Sequence, residues 1–246
     1  MTDATSHQRQ RYVWAGTAAA LAVTAAEDRR IAAFAISHHT RTLDDAAHVA
    51  DPFGRAGILV PALALSVIVP RVVGKRALSD AMLRVALGYA AADGVESLLK
   101  PLVGRHRPSD GGTQWRFHPF RNDEQWHSFP SAHTVHAFGL ATGLAMEART
   151  PWVAVPAYGV ATIVGLQRVY TGAHWGSDVI ASTALAVVVA GATDRMLRRR
   201  GLRWVLRPVS ASTLSELGKN ADREAMFGYS RRAQVSRWTL GVEWTY

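Results

Sequence analysis

Residues 81–108 read AMLRVALGYAAADGVESLLKPLVGRHRP, and the change of character along them decides the fold. Up to Leu99 the stretch is alanine, leucine and valine without sustained β-branched or aromatic runs, so it predicts a helix rather than a strand. At Lys100 the composition turns basic. An ammonium there sits at the carbonyl end of the helix, where the backbone dipole is negative, and Pro108 stops any regular continuation. Further apolar segments recur at 57–73, 135–146, 153–166 and 179–192. Together they predict an all-α helical bundle with its polar residues collected in the connections.

The chain has 246 residues, enough for one sizeable core, and no Pro/Gly/Ser-rich linker divides it. It contains no cysteine, which removes disulfides, thiolate metal sites and a cysteine nucleophile together. A formal charge of +9 points to nucleic acid, an anionic membrane surface or an anionic substrate. The basic residues fall in loops at 71–76 and 195–200 and in the polar segment 100–121. No long basic stripe with interleaved aromatics accompanies them, so the expected partners exclude nucleic acid.

Near the start, Arg9 and Arg11 precede an apolar stretch at 13–26, followed by Glu27 and Asp28. Its length suits a signal-peptide core or a short first membrane helix, since a bilayer span needs roughly 20 apolar residues. The expected division is therefore 1–26 as leader or first helix, 27–200 as the helical domain and 201–246 as a tail. Most apolar segments are near the lower limit for a span, and the mean hydropathy is zero. If they alternate direction, residues 71–84 and 198–200 lie at one end of the bundle, with 100–130 and 168–178 at the other. The positive-inside tendency makes the first end cytoplasmic and turns the second outward. In the tail, Trp238, Leu240, Val242, Trp244 and Tyr246 alternate with polar or small residues, a strand pattern expected to pair with 202–214 across 217–228 as a small β-hairpin.

Three polar clusters carry the chemistry. The first holds Lys100 and Arg107-Pro108, cations suited either to anchoring a helix end or to holding a doubly charged phosphate. The second is Phe129-Pro130-Ser131-Ala132-His133. Ser131 reads as an N-cap, the N–H groups behind it suit an anion, and His133 beside a bound phosphate could be held protonated as an acid. The third runs from Gln167 and Arg168 through His174 to Asp178. His174 and Asp178 are four apart, hence on one face if helical, and a carboxylate on one ring nitrogen would free the other to attack. Among the remaining histidines, His106, His118, His127 and His136 crowd the same region without a metal-ligand spacing, and His136 is expected to pack or face solvent. His38, His39 and His48 fall in a polar segment before the bundle. Trp115, Trp126 and Trp175 suit a substrate mouth or a membrane interface.

In this order and at these separations, the clusters resemble the signature motifs of the type 2 phosphatidic acid phosphatase and haloperoxidase superfamily. Lys100, Arg107 and Pro108 match the first motif completely. Pro130, Ser131 and His133 match the second, with Ala132 where glycine is usual. Arg168, His174 and Asp178 match the third, with Gln167 where serine is usual. The resemblance implies that superfamily's helical bundle and a metal-independent, cofactor-free phosphatase acting on lipid phosphates or isoprenoid diphosphates. It implies that His174 attacks phosphorus with Asp178 orienting its ring, and that His133 protonates the leaving alkoxide. Lys100, Arg107, Ser131, Ala132 and Arg168 would hold the phosphate. A vanadium-dependent haloperoxidase, in which the same cations hold vanadate, and a non-catalytic membrane scaffold are the alternatives.

Overall fold

The computed structural model describes residues 2–200, 203–208 and 238–243. Its helices in chain order are α1 (Thr2–Ser37), α2 (Arg41–Ala50), α3 (Ala56–Val72), α4 (Arg76–Val103), α5 (Ala132–Ala148), α6 (Pro151–Tyr170) and α7 (Gly176–Arg199). Short 3₁₀ turns occupy Asp51–Gly54, Pro108–Asp110 and Glu124–Trp126. The chain falls into two units, Met1–Met196 and Leu197–Tyr246. In the second unit, β1 (Arg203–Pro208) pairs antiparallel with β2 (Trp238–Glu243), placing Leu206 opposite Leu240 and Trp204 opposite Val242. The expected connection at 217–228 lies outside the described residues, as do Trp244 and Tyr246.

Local chemistry explains where the helices stop. α4 ends at Gly104, whose φ of 56° turns the chain left-handed while its N–H donates to the Lys100 carbonyl at 3.1 Å. A Cβ at Gly104 would lie 2.1 Å from the His118 carbonyl oxygen, so both backbone and space demand glycine. α6 opens with Thr150 as N-cap and Pro151 in its first turn, where a missing N–H costs nothing.

The first unit's core is assembled from small residues. Ala92, Val135, Phe138, Ala141, Ala161, Val164 and Ala186 join α4, α5, α6 and α7, and a second cluster sets Leu59 and Leu63 of α3 on Val85 and Tyr89. At Gly143 a Cβ would come within 2.9 Å of Val85 Cγ1, so the absent side chain lets α4 and α5 approach and gain dispersion contact. One end of this pair is clamped by Arg84, which donates from Nε and Nη2 to Glu147 at 2.6 and 2.8 Å.

Large apolar side chains also face outward. On α3 they include Leu65 and Val72, and on α6 Trp152, at 87% exposure, with Val155 and Leu166. Among the described residues, α7 alone is long and apolar enough to cross a membrane as a single helix. The Arg41–Gly54 segment with α3, bent by 48°, meets the same test as a broken span.

The stretch at 13–26 is the middle of α1, and the polar segment holding His38, His39 and His48 folds as the turn after that helix and α2. There Asp44 accepts from His39 Nδ1 at 3.0 Å and from the Tyr170 hydroxyl at 2.7 Å, tying α2 to α6.

Candidate active site

Four helix termini and one turn build the site: the carbonyl ends of α4 and α6, the amino ends of α5 and α7, and the Asp51–Gly54 turn ahead of α3. His174 stands in the short loop between α6 and α7. The N–H groups of Ala173 and His174 donate to the Arg168 carbonyl at 3.1 and 3.2 Å, winding the loop onto the end of α6. Gly172 makes the reversal at φ 66°. Trp175 closes the inner wall; it is buried and donates from its indole to the His106 carbonyl at 2.7 Å. Trp126 is buried too, so of the three tryptophans in the sequence clusters only Trp115 faces outward.

The His174 ring is buried, and its Nδ1 bonds the main-chain carbonyl of Ser128. A carbonyl only accepts, so the neutral ring carries its proton on Nδ1 and its lone pair on Nε2. This corrects the expectation that Asp178 holds the ring. α7 begins at Gly176, so His174 precedes the helix and the four-residue spacing does not place the pair on one helical face. Asp178 is instead the third residue of α7. Its Oδ2 accepts from the N–H of Trp175 at 3.0 Å, a capping contact, and from Ser128 Oγ at 2.6 Å. The carboxylate therefore reaches His174 only through Ser128.

Behind Asp178 lies Arg105, which the sequence reading passed over. It is buried, and its guanidinium donates to Asp178, to Ser177 Oγ at 2.8 Å, to Asp28 of α1 at 2.9 Å and to the Gln114 carbonyl. Asp28 is wholly buried and also accepts from the Ser177 N–H at 2.9 Å. Two carboxylates on one arginine, with hydroxyl and amide donors filling the remaining lone pairs, satisfy the conditions under which buried charge is tolerated.

Ser131 occupies the N-cap position of α5 without capping it through its side chain. Its Oγ accepts from Thr134 Oγ1 at 2.9 Å, and its N–H donates to Ser182 Oγ at 2.8 Å. Ala132, the first residue of α5, is not among the positive-φ residues, so alanine meets no backbone strain there. His133, in the same turn, has Nε2 3.3 Å from Asp51 Oδ1. His136 is buried rather than solvent-facing: its Nδ1 bonds the Gly54 carbonyl at 2.8 Å and its Nε2 meets Asp93 at 2.6 Å.

Each of the three expected phosphate-binding cations has an acidic neighbour. Lys100 Nζ lies 2.5 Å from Glu96, Arg107 Nη1 3.6 Å from the exposed Glu124, and Arg168 Nη1 3.0 Å from Asp51. Glu96 was detectable in sequence, one helical turn before Lys100 in an apolar stretch. Asp51 was not, because 117 residues separate it from Arg168.

A PAP2 superfamily model matches residues 81–202. The chain belongs to the PAP2 superfamily. A lipid A 1-phosphatase of Porphyromonas gingivalis is 36% identical over 118 residues, covering 47% of this chain and 22% of that protein. A lipid A 1-phosphatase of Rhizobium johnstonii is 38% identical over 122 residues, 46% of each chain. The chain thus spans less than half the length of these curated relatives. A crystal structure of a transmembrane PAP2 type phosphatidylglycerolphosphate phosphatase from Bacillus subtilis superposes with a TM-score of 0.58 at 20% identity, covering 75% of this chain and 96% of that one. That likeness concerns the fold.

The PAP2 region contains all three cations, both histidines and Asp178, whereas Asp28 and Asp51 come from outside it. Electrostatics inside the region favour an anion. Burial pushes the His174 ring well below its ordinary pKa; the Ser128 carbonyl pulls it back upward, and the charges of Arg168, Arg107 and Lys100 depress it further. His174 is therefore neutral, and it lies within the field of all three cations. Arg107 Nε and Arg168 Nε are buried and have no hydrogen-bond partner among the described residues. Buried donors left unmatched are costly, and an oxyanion between them would satisfy them.

Proposed function

We propose that this chain is a phosphoric ester hydrolase acting on a lipid phosphate through a phosphohistidine intermediate. One observation carries the reading: a neutral imidazole, fixed by its Nδ1, lies within the field of three cations that include unmatched buried guanidinium nitrogens. His174 Nε2 attacks phosphorus in line. The P–O bond to the leaving group breaks, and its electron pair departs with the oxygen, which takes a proton from His133. Lys100, Arg107 and Arg168, with the N–H groups of the first α5 turn, hold the equatorial oxygens as their charge redistributes. Water then attacks the phosphohistidine, giving its proton to the now neutral His133, and phosphate leaves. Asp178 stabilises the positive charge that develops on His174 from one residue away, through Ser128.

The lipid substrate is supported by two features: curated relatives named lipid A 1-phosphatase, and the outward apolar side chains of α3 and α6. With the basic loop at 71–84 placed inside, the reading is a multi-pass envelope protein whose site opens outward. The chemistry of three fixed cations needs no metal. The test is to incubate purified protein with a phosphorus-32-labelled lipid phosphate and quench during turnover. An acid-labile, alkali-stable phosphoprotein should form in the wild type and be absent from His174→Ala. Turnover without such an adduct, or abolished by chelation and restored by magnesium, would overturn the mechanism.

A further inference from the structure

The Asp51–Gly54 turn has no part in the reaction as written, yet two of its four residues press on His133. Asp51 Oδ1 lies 3.3 Å from His133 Nε2 and 3.0 Å from Arg168 Nη1, so one carboxylate oxygen faces both the proposed acid and a proposed phosphate ligand. Gly54 forms the floor under the same ring. A Cβ there would fall 2.7 Å from His133 Cδ2 and 2.9 Å from Cγ, inside any normal contact. The turn itself is pinned, because the Gly54 carbonyl is bonded by His136, whose other nitrogen is held by Asp93 of α4. Arg55 anchors Asp51 from the other side. A carboxylate on a pinned turn, with the acid's ring resting on the same turn, has the geometry of a positioning device rather than of a chance surface pair.

We infer that Asp51 is a positioning residue that couples phosphate arrival to the acid function of His133, an inference that rests on the reaction proposed above. While the site holds no phosphate, Asp51 neutralises Arg168 and shares its charge between guanidinium and imidazole. An arriving phosphate draws Arg168 to its own oxygens, and Asp51 is left to His133. The ring then faces two anions, the carboxylate and the phosphate, and keeps the proton that the leaving oxygen needs. The other charged or titratable groups facing His133 are Arg168 from α6, Arg55 at the head of α3 and His136 from its own helix. Of the groups around the ring, Asp51 is the carboxylate.

A leaving-group comparison reads this directly. An acid matters for phenyl phosphate, whose phenoxide leaves poorly, and hardly at all for 2,4-dinitrophenyl phosphate, whose leaving group needs no proton. Asp51→Asn should lower kcat/KM on phenyl phosphate about ten-fold more than on the dinitrophenyl ester, and Asp51→Glu should recover most of the difference. Vanadate should inhibit Asp51→Asn several-fold more tightly than wild type, because Arg168 no longer has a competing carboxylate. Equal losses on both esters, or vanadate binding weakened, would make Asp51 merely structural and overturn the inference. If Asp51→Asn does not fold, Gly54→Ala carries the test: it moves the ring off Asp51 while leaving Arg168 alone. It must produce the same leaving-group bias without the tighter vanadate inhibition expected of Asp51→Asn, and equal losses on both esters would again overturn the inference. Wild-type turnover of both esters, lost in His174→Ala, separates failure of this inference from failure of the reaction itself.

Discussion

The surroundings of His174 and His133 are opposites. His174 is sealed between Trp175 and the end of α6 and held by a main-chain carbonyl. His133 sits at a half-open edge, with 24% of its side chain exposed, and is held by the charge of Asp51 and the bare backbone of Gly54. A carbonyl fixes a tautomer without adding net charge, which suits a group that must stay neutral to attack. A carboxylate shared with an arginine changes its pull on the ring when that arginine is taken, which suits a group that must hold a proton only once substrate has arrived. On the inference drawn for Asp51, the two rings are tuned by different instruments, burial with a fixed tautomer for one and movable charge for the other.

The contrast can be broken in several ways. The largest effect should come from His174→Ala, expected to remove about four orders of magnitude or more of kcat, because it takes away the proposed nucleophile. Near-normal turnover in a steady-state assay would end the assignment. His133→Ala should cost about 10²- to 10⁴-fold on an alkyl phosphate and far less on a dinitrophenyl ester; loss independent of the leaving group would give the two rings one role. Asp178→Asn should cost less, about 10²-fold in kcat, since the carboxylate acts through Ser128. The same variant should melt at lower temperature, because one of the two buried carboxylates on Arg105 becomes an amide while Asp28 remains its ionic partner. A loss as large as that of His174→Ala would mean that Asp178 touches the ring during turnover.

The smallest effect is protonic. Burial and three cations hold the His174 pKa below 6.5, so a nitrogen-15 NMR titration should find the ring neutral, protonated on Nδ1, at pH 6.5. The unfolded chain takes up that proton near 6.5 and the native fold does not. Stability should therefore fall as pH drops below 6.5 and gain nothing from His174 above it. A His174 ring titrating at or above 6.5 would erase the contrast with His133.

Much of this was legible in the residues. Alanine- and leucine-rich stretches foretold α4 to α7, and the charges of Lys100, Arg107 and Arg168, picked out in the sequence, bear on His174, with Arg168 bearing on His133 as well. The misreadings were all of partnership. The spacing of His174 and Asp178 looked like one helical face and turned out to be a loop residue followed by a capping carboxylate. Ser128 escaped notice because its part in holding His174 is played by a main-chain carbonyl, which no side-chain pattern reports. Arg105 was hidden among basic neighbours, since nothing local distinguishes an arginine that turns inward from one that faces substrate.

Which stretches are helical and how charge groups in the connections depend on interactions within a few residues, and the sequence alone determined them. Packing decided the rest. Ser128 and His174 are 46 residues apart, Asp28 and Arg105 77, Asp51 and Arg168 117. Contacts at such separations exist only once the helices have chosen their neighbours. The identity of the residues that could do the chemistry was therefore written locally, while the protonation and pairing that let them do it were settled by the tertiary fold.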